Sequence, residues 1–358
     1  MLSLFKKMAN TPISIIVNLK NLPFNMANKA KQRTHDWVNS VWYGQSQLSN
    51  LLLPLSGVFA VAAKARQWQQ SKANVKFSVP VIIVGNITVG GTGKTPMVTT
   101  LVNKLTQLGY TPGVASRGYG GQAKQPTLVN HSHNAEQVGD EPLLIFSNTQ
   151  AKVVVGQNRL DVIEELINSQ CCDVIICDDG LQDYRFKHDI EIIMVDGDRA
   201  FGNHKLLPAG PLREPISRLQ KAHFVVATSK PVPAVSGDCM KLQLAECVQL
   251  TNPKNTCSLD QFKGQLVHAV AGIGNSDRFF RSLTSLGINV IKHPFPDHAH
   301  YELSDFSFSD QNPILMTHKD AVKCSLLSLD NAWYVPVQTL LPKDFMSRLN
   351  TLLRNING

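Results

Sequence analysis

The residues with the clearest chemistry lie between Val81 and Pro96, in VIIVGNITVGGTGKTP. Val81 to Val84 reads as a short buried strand, Gly90, Gly91 and Gly93 as a turn, and Lys94-Thr95 as the opening of a helix. Thr88, Val89, Gly90, Gly91, Thr92, Gly93, Lys94 and Thr95 then make up a phosphate-binding loop. Glycines let backbone N–H groups turn inward around phosphate oxygens. A helix N-terminus adds unpaired donors and the positive end of its dipole. Lys94 would reach the β- and γ-phosphates, and the Thr95 hydroxyl would bind Mg²⁺. The strict pattern G-x-x-x-x-G-K-[ST] asks for glycine where this chain has Thr88. An ordinary glycine turn between a strand and a helix is the alternative.

Four other places carry residues of the right type. Asp178-Asp179 end an apolar run, Val174–Cys177, where carboxylates can hold Mg²⁺ or its waters beside phosphates; the bland reading is two solvated loop acids. Asp140-Glu141-Pro142 has the composition of a helix start, an acidic cap followed by proline in the first turn. Asp297-His298, ahead of Tyr301, reads alone as a polar loop. If the last two segments meet, they form a carboxylate–imidazole pair able to take the proton from an attacking hydroxyl. Arg213, beside Gly210-Pro211, either places a guanidinium on transferring phosphate oxygens or lies on the surface.

The elements around these residues alternate. Strands are expected at 111–117, 152–155, 174–177, 190–195 and 224–228, with helices at 97–108, 143–146 and 161–167 between them. This order predicts a mostly parallel α/β sheet with helices on both faces, and ligands beyond the carboxyl ends of its strands. Prolines and small residues at 229–238 read as a linker. A second, smaller α/β unit follows, with strands at 266–271, 289–292, 314–317 and 333–337, and a closing helix from Asp344. The expected division is an extension over 1–34, a membrane-associating helical segment over 35–76, a P-loop core over 77–230 and a smaller α/β domain over 239–358.

Charge is concentrated at one end. Of the net +8 over 358 residues, positions 1–76 hold ten Lys/Arg and one acid, Asp36, a net of +9, so the remainder is near neutral. That excludes a generally basic nucleic-acid binder. Seven scattered cysteines, with no C-x-x-C pair, suggest neither a disulfide framework nor a zinc site and fit a reducing cytosol. No secretory leader is evident. Leu51–Ala63, LLLPLSGVFAVAA, is too short for a bilayer span, which needs roughly 20 residues. With Lys64 and Arg66 after it and Trp37, Trp42, Tyr43 and Trp68 around it, the run suits a helix lying in an anionic membrane interface. A core helix packed on the α/β body is the alternative.

The motifs VGNITVGGTGKTP, SRGYGG, VGDEP, DDGLQD, LLPAGPLREP, AGIGN with RFF, FPDHAHY and KDAVK occur in this order, after an upstream WYG and LLLPLS. Together, from Trp42 to the C-terminus, the chain resembles the tetraacyldisaccharide 4'-kinases, the lipid A kinases of Gram-negative bacteria. The resemblance implies transfer of the ATP γ-phosphate to the 4'-hydroxyl of a tetraacylated glucosamine disaccharide 1-phosphate, on the cytoplasmic face of the inner membrane. It also implies ATP and Mg²⁺ and a P-loop fold with a smaller second domain; no obligate protein partner is evident in the sequence. The family's catalytic Asp falls on Asp140 and its paired His on His298, with His300 a competitor. Its magnesium-binding acids fall on Glu141 and Asp178-Asp179, together with Thr95. Two departures stand out: residues 1–34 extend beyond the family's usual start, and His318 sits where the family carries Glu. The competing reading is a membrane-associated P-loop switch or partition-type ATPase. Such proteins often carry a second Lys early in the loop, where this chain has Val89.

Overall fold

The computed structural model describes residues 37–44, 46–169, 172–233 and 235–357. The expected extension over 1–34 lies outside them. Two sheets organise the chain. The first has nine strands, ordered β15-β8-β7-β6-β1-β5-β2-β4-β3. Its strands are β1 (Val81–Gly85), β2 (Pro112–Ser116), β3 (Thr127–Leu128), β4 (Lys152–Val155), β5 (Val174–Asp178), β6 (Ile190–Asp196), β7 (Phe224–Thr228), β8 (Asp238–Leu244) and β15 (Val337–Leu340). Pairing is parallel from β4 through β8, and only the edge strands β3 and β15 run antiparallel.

The central strand β1 explains the layering. All five of its residues are buried. Ile82 and Val84 point into one core and Val81 and Ile83 into the other, as the strand's two-residue period requires. Helix α2 (Lys94–Gln107) covers the first face with Met97, Val98, Leu101 and Leu105, and α4 (Arg159–Asn168) covers the second with Val162, Ile163 and Leu166. Between them in sequence, α3 (Asp140–Asn148) begins with a carboxylate and packs Ile145 into the first core.

The second sheet is ordered β10-β9-β14-β13-β11-β12. It comprises β9 (Cys247–Gln249), β10 (Thr256–Cys257), β11 (Leu266–Ala271), β12 (Asn289–Pro294), β13 (Ile314–Thr317) and β14 (Ala332–Val335). Helices α5 (Ser276–Ser285) and α6 (His318–Cys324) lie in its two cores.

The chain is not cut cleanly at the expected linker. Strands β8 and β15 pair with each other and extend the first sheet. Helix α7 (Phe345–Asn357) puts Phe345, Leu349 and Leu353 into the same core as α2. The expected strand over 333–337 is split at Pro336, with β14 in the second sheet and β15 in the first. Proline cannot donate to a ladder, so the chain changes sheets there.

At the amino end, a helical stretch over 37–43 and a turn of helix at Leu48–Leu51 precede α1 (Leu53–Ser71). Pro54 sits in the first turn of α1, where its missing N–H costs nothing, so it opens the helix and does not break it. Trp42 Nε1 donates to the Pro208 carbonyl at 3.0 Å, and the Ser56 hydroxyl donates to the Leu206 carbonyl at 2.8 Å. These bonds, with Phe59 packed on Leu207, seat the segment on the loop that carries Arg213. Among the described residues, no helix is long and apolar enough to cross a membrane.

Candidate active site

The expected phosphate loop lies between the end of β1 and the start of α2, in the strand–turn–helix order that the sequence predicts. Gly93 has φ +86 and a Cβ there would meet the Thr228 hydroxyl at 3.0 Å, so glycine is required. Thr228 in turn donates to the Thr92 carbonyl at 2.7 Å. The missing first glycine also has a physical account. Thr88 makes an antiparallel bridge to Leu212, and Val89 N donates to the Pro211 carbonyl at 2.8 Å. The loop is extended at 88–89 and borrows backbone partners from the 205–213 loop, so no left-handed residue is needed.

Strand β5 lies parallel to β1, with Val84 opposite Asp178, which sets both acids beside the phosphate loop. Asp179 takes φ +53, a left-handed conformation uncommon for a non-glycine residue. Lys94 Nζ lies 3.5 Å and Arg213 Nη1 3.4 Å from its carboxylate. Burial raises Asp179, but Lys94 and Arg213 more than offset this and hold it well below the usual carboxylate range. Asp178 shows the opposite. Burial, then the charge of Glu141, push it up to about 7, and its Oδ1 is buried with no hydrogen-bond partner.

Asp140 opens α3. The preceding Gly139 has φ +92, and a Cβ on it would stand 2.9 Å from the Tyr119 carbonyl. The SRGYGG turn thus backs directly onto the start of this helix. The second sheet's loop after β12 brings His298 to meet it. His298 Nδ1 stands 3.0 Å from both oxygens of Asp140, His298 has φ +57, and Tyr119 packs on its ring at 4.7 Å. The competitor His300 is exposed, 3.7 Å from Glu136.

One side chain that the sequence reading did not single out completes the cluster. Lys319, at the start of α6, lies 2.9 Å from Glu141, 3.1 Å from Asp297 and 3.8 Å from Asp140. Burial lowers Lys319, but these three carboxylates more than offset it and raise it well above its ordinary value. Burial raises Asp140, and Lys319 with His298 reverses the direction, holding it ionised well below the usual range. The available signal was position. Thr317 ends β13 and caps α6 by accepting from Asp320 N, so Lys319 sits in the first turn at a strand's carboxyl end. His318 stacks on Tyr334 at 4.5 Å, and burial lowers it to about 4.

Among the described residues, no three His, Cys, Asp or Glu side chains converge as a metal-holding group. Mg²⁺ in a phosphate site needs less, because it keeps waters and takes phosphate oxygens. The orphaned, buried Oδ1 of Asp178 beside the phosphate loop fits one such ion, with the Thr95 hydroxyl at the first turn of α2. Glu141 is engaged by Lys319 here.

Comparison with known proteins identifies the family. The sequence profile of the LpxK family, described as Tetraacyldisaccharide-1-P 4'-kinase, matches residues 48–354. The chain is 43% identical to a tetraacyldisaccharide 4'-kinase of Methylobacillus flagellatus, over 88% of this chain and 97% of that one. It is 43% identical to another from Nitrosococcus oceani, over 87% and 93%. Its fold is similar to a crystal structure of the "apo" form of LpxK from Aquifex aeolicus in complex with ATP. There the TM-score is 0.70 and the identity 29%, covering 87% of this chain and 99% of that one. The chain belongs to the tetraacyldisaccharide-1-P 4'-kinase family.

Proposed function

We propose that the chain transfers the γ-phosphate of ATP to the 4'-hydroxyl of a tetraacyldisaccharide 1-phosphate, with Asp140 accepting the hydroxyl proton. The observation that carries the proton step is the Asp140–His298 contact at the start of α3. Asp140 is ionised, so it can accept a proton. His298 fixes the carboxylate's orientation, and Lys319 holds the acids of both sheets together. Lys94 and Arg213 aim positive charge at the oxygens of the moving phosphoryl group. Thr95, Asp178 and Asp179, with Glu141, are the residues that would hold Mg²⁺, which supplies charge neutralisation of the nucleotide phosphates when bound.

The reading extends to the membrane. Leu51, Leu55, Val58, Val61 and Trp68 are all more than half exposed on the amino-terminal helices, and Leu51 reaches 77%. Such a face is stabilised by the acyl boundary of a bilayer, with Lys64, Arg66 and Lys72 near anionic headgroups. The acceptor lipid would then be met at the inner-membrane surface, from the cytoplasmic side.

The test is product analysis. Protein, Mg²⁺, γ-labelled ATP and tetraacyldisaccharide 1-phosphate in detergent micelles should give lipid labelled at the 4'-position of the distal sugar. Label elsewhere on the sugar, or only as inorganic phosphate, contradicts the assignment.

A further inference from the structure

The AGIGN turn after β11, and the RFF that follows it in α5, have no part in the chemistry described so far. Yet a Cβ on Gly274 would stand 2.5 Å from the Gly91 amide nitrogen, so this turn packs its backbone against that of the expected phosphate loop. Arg199, just past the end of β6, donates to the Gly274 carbonyl at 2.7 Å. Arg278, in the first turn of α5, reaches across in the other direction. Its Nη2 donates to Asp196 at 2.7 Å and its Nε to Asp198 at 3.2 Å. Asn275 caps α5 by accepting from Arg278 N, which fixes the backbone that aims the guanidinium.

Asp196 is the stronger anchor. It ends β6, the strand beside β1, and is 3% exposed. Its Oδ1 also accepts from Asp198 N at 2.8 Å, while its Oδ2 is buried with no hydrogen-bond partner. A carboxylate so placed is costly without its cation. Asp198 also has Lys230 at 3.2 Å and Arg281 at 3.4 Å, so it stays paired if Arg278 is lost.

The second sheet therefore meets the first at two places, on opposite sides of β1. One is Arg278 on Asp196, at the end of β6. The other is His298 and Lys319 on Asp140, at the start of α3, which leads into β4. The chain segments that make these contacts leave adjacent strands at the same end. Strands β11 and β12 pair in parallel, with Ala271 opposite Pro294, and α5 packs Phe280 and Leu283 into one core with Val267 and Ala269 of β11. Close-packed cores transmit displacement, so the angle set at Arg278 fixes where His298 arrives.

We propose that Arg278 is a positioning residue for phosphoryl transfer: by holding Asp196, it sets the second sheet at the angle at which His298 meets Asp140. This rests on the kinase reading above. Arg278 acts through His298 and itself touches neither nucleotide nor acceptor.

The test is a double-mutant cycle. Wild type, Arg278→Met, His298→Ala and the double variant would be assayed with γ-labelled ATP, Mg²⁺ and tetraacyldisaccharide 1-phosphate in detergent micelles. Arg278→Met should lower kcat by about ten- to a hundredfold, the loss expected when reacting groups are misplaced by about 1 Å, and leave the KM for ATP within about threefold. In the Arg278→Met protein, His298→Ala should cost no more than about twofold further. An arginine that only stabilised the fold would give losses that multiply. Arg278→Lys, which keeps the charge and loses the fork, should fall between, with a His298→Ala loss smaller than in the wild type. That second cycle decides the matter should the Met variant not fold. Multiplying losses overturn the proposal, as does a loss confined to the KM for ATP. A wild type that yields no labelled lipid removes the kinase reading itself, and this inference with it.

Discussion

His298 Nδ1 stands 3.0 Å from both carboxylate oxygens of Asp140, across 158 positions of sequence and between two different sheets. The two residues therefore act as a unit. His298→Ala should lower turnover by about 10–10²-fold, less than removing Asp140, because the imidazole orients the carboxylate and does not itself receive the proton. The double variant Asp140→Ala/His298→Ala should be no slower than Asp140→Ala alone. Multiplying losses in steady-state assays would show that the two work separately.

The turn behind Asp140 is fixed by glycine. Gly139→Ala puts a side chain at φ +92, with its Cβ 2.9 Å from the Tyr119 carbonyl. It should destabilise the protein by about 1–3 kcal/mol in denaturant melts and lower kcat more than the KM for ATP. A neutral substitution would mean that the turn is looser than its backbone indicates.

By contrast, Thr88→Gly restores the strict loop pattern at a position that is extended and bridged to Leu212. It should leave ATP affinity within about twofold and cost up to about 1 kcal/mol of stability, since glycine adds only unfolded-state freedom there. A large gain in ATP affinity would show that Thr88 is a defect in the loop.

These positions also mark how much was legible. The mostly parallel first sheet, the strand–turn–helix around Gly90–Lys94 and the placing of Asp178-Asp179 at a strand end follow from local patterns: buried β-runs, glycine turns and acids at strand ends, whereas the strand order does not. Asp140 and His298 were legible as residue types and, through the resemblance to the kinase family, as a pair, but their contact depends on how the second sheet docks, which no local pattern encodes. Lys319 went unassigned because a lysine in a first helical turn looks like a solvated charge until three carboxylates from two sheets surround it. The return of β15 and α7 to the first sheet was hidden by Pro336, which divides what reads as one continuous strand.

Acid stability tests a second network. His188 Nδ1 lies 2.9 Å and Arg218 Nη2 2.7 Å from Glu191. Burial raises this carboxyl, but the two partners lower it to about 2, from an ordinary value of 4.5. A depressed folded-state value stabilises the fold above the unfolded value and is lost as pH falls through the folded one. Stability should therefore drop by up to about 3 kcal/mol between pH 5 and pH 2 through this group. Urea midpoints measured across that range should fall less steeply in Glu191→Gln. An identical slope would remove Glu191 from the account.

The apolar face of the amino-terminal helices predicts reversible membrane docking. Leu51→Ser with Val61→Ser removes two side chains that are 77% and 70% exposed. At roughly 1.5–3 kcal/mol for each full burial, partition onto anionic vesicles should fall by about two orders of magnitude or more. Sedimentation with vesicles reads this directly, and unchanged partition would place the membrane contact elsewhere.

The most direct measurement compares wild type and Asp140→Ala in one phosphate-transfer assay, with γ-labelled ATP, Mg²⁺ and tetraacyldisaccharide 1-phosphate in micelles. The account predicts labelled bis-phosphorylated lipid from the wild type and a loss of about 10²–10⁴-fold in the variant, with ATP still bound. Transfer by Asp140→Ala at the wild-type rate would contradict it.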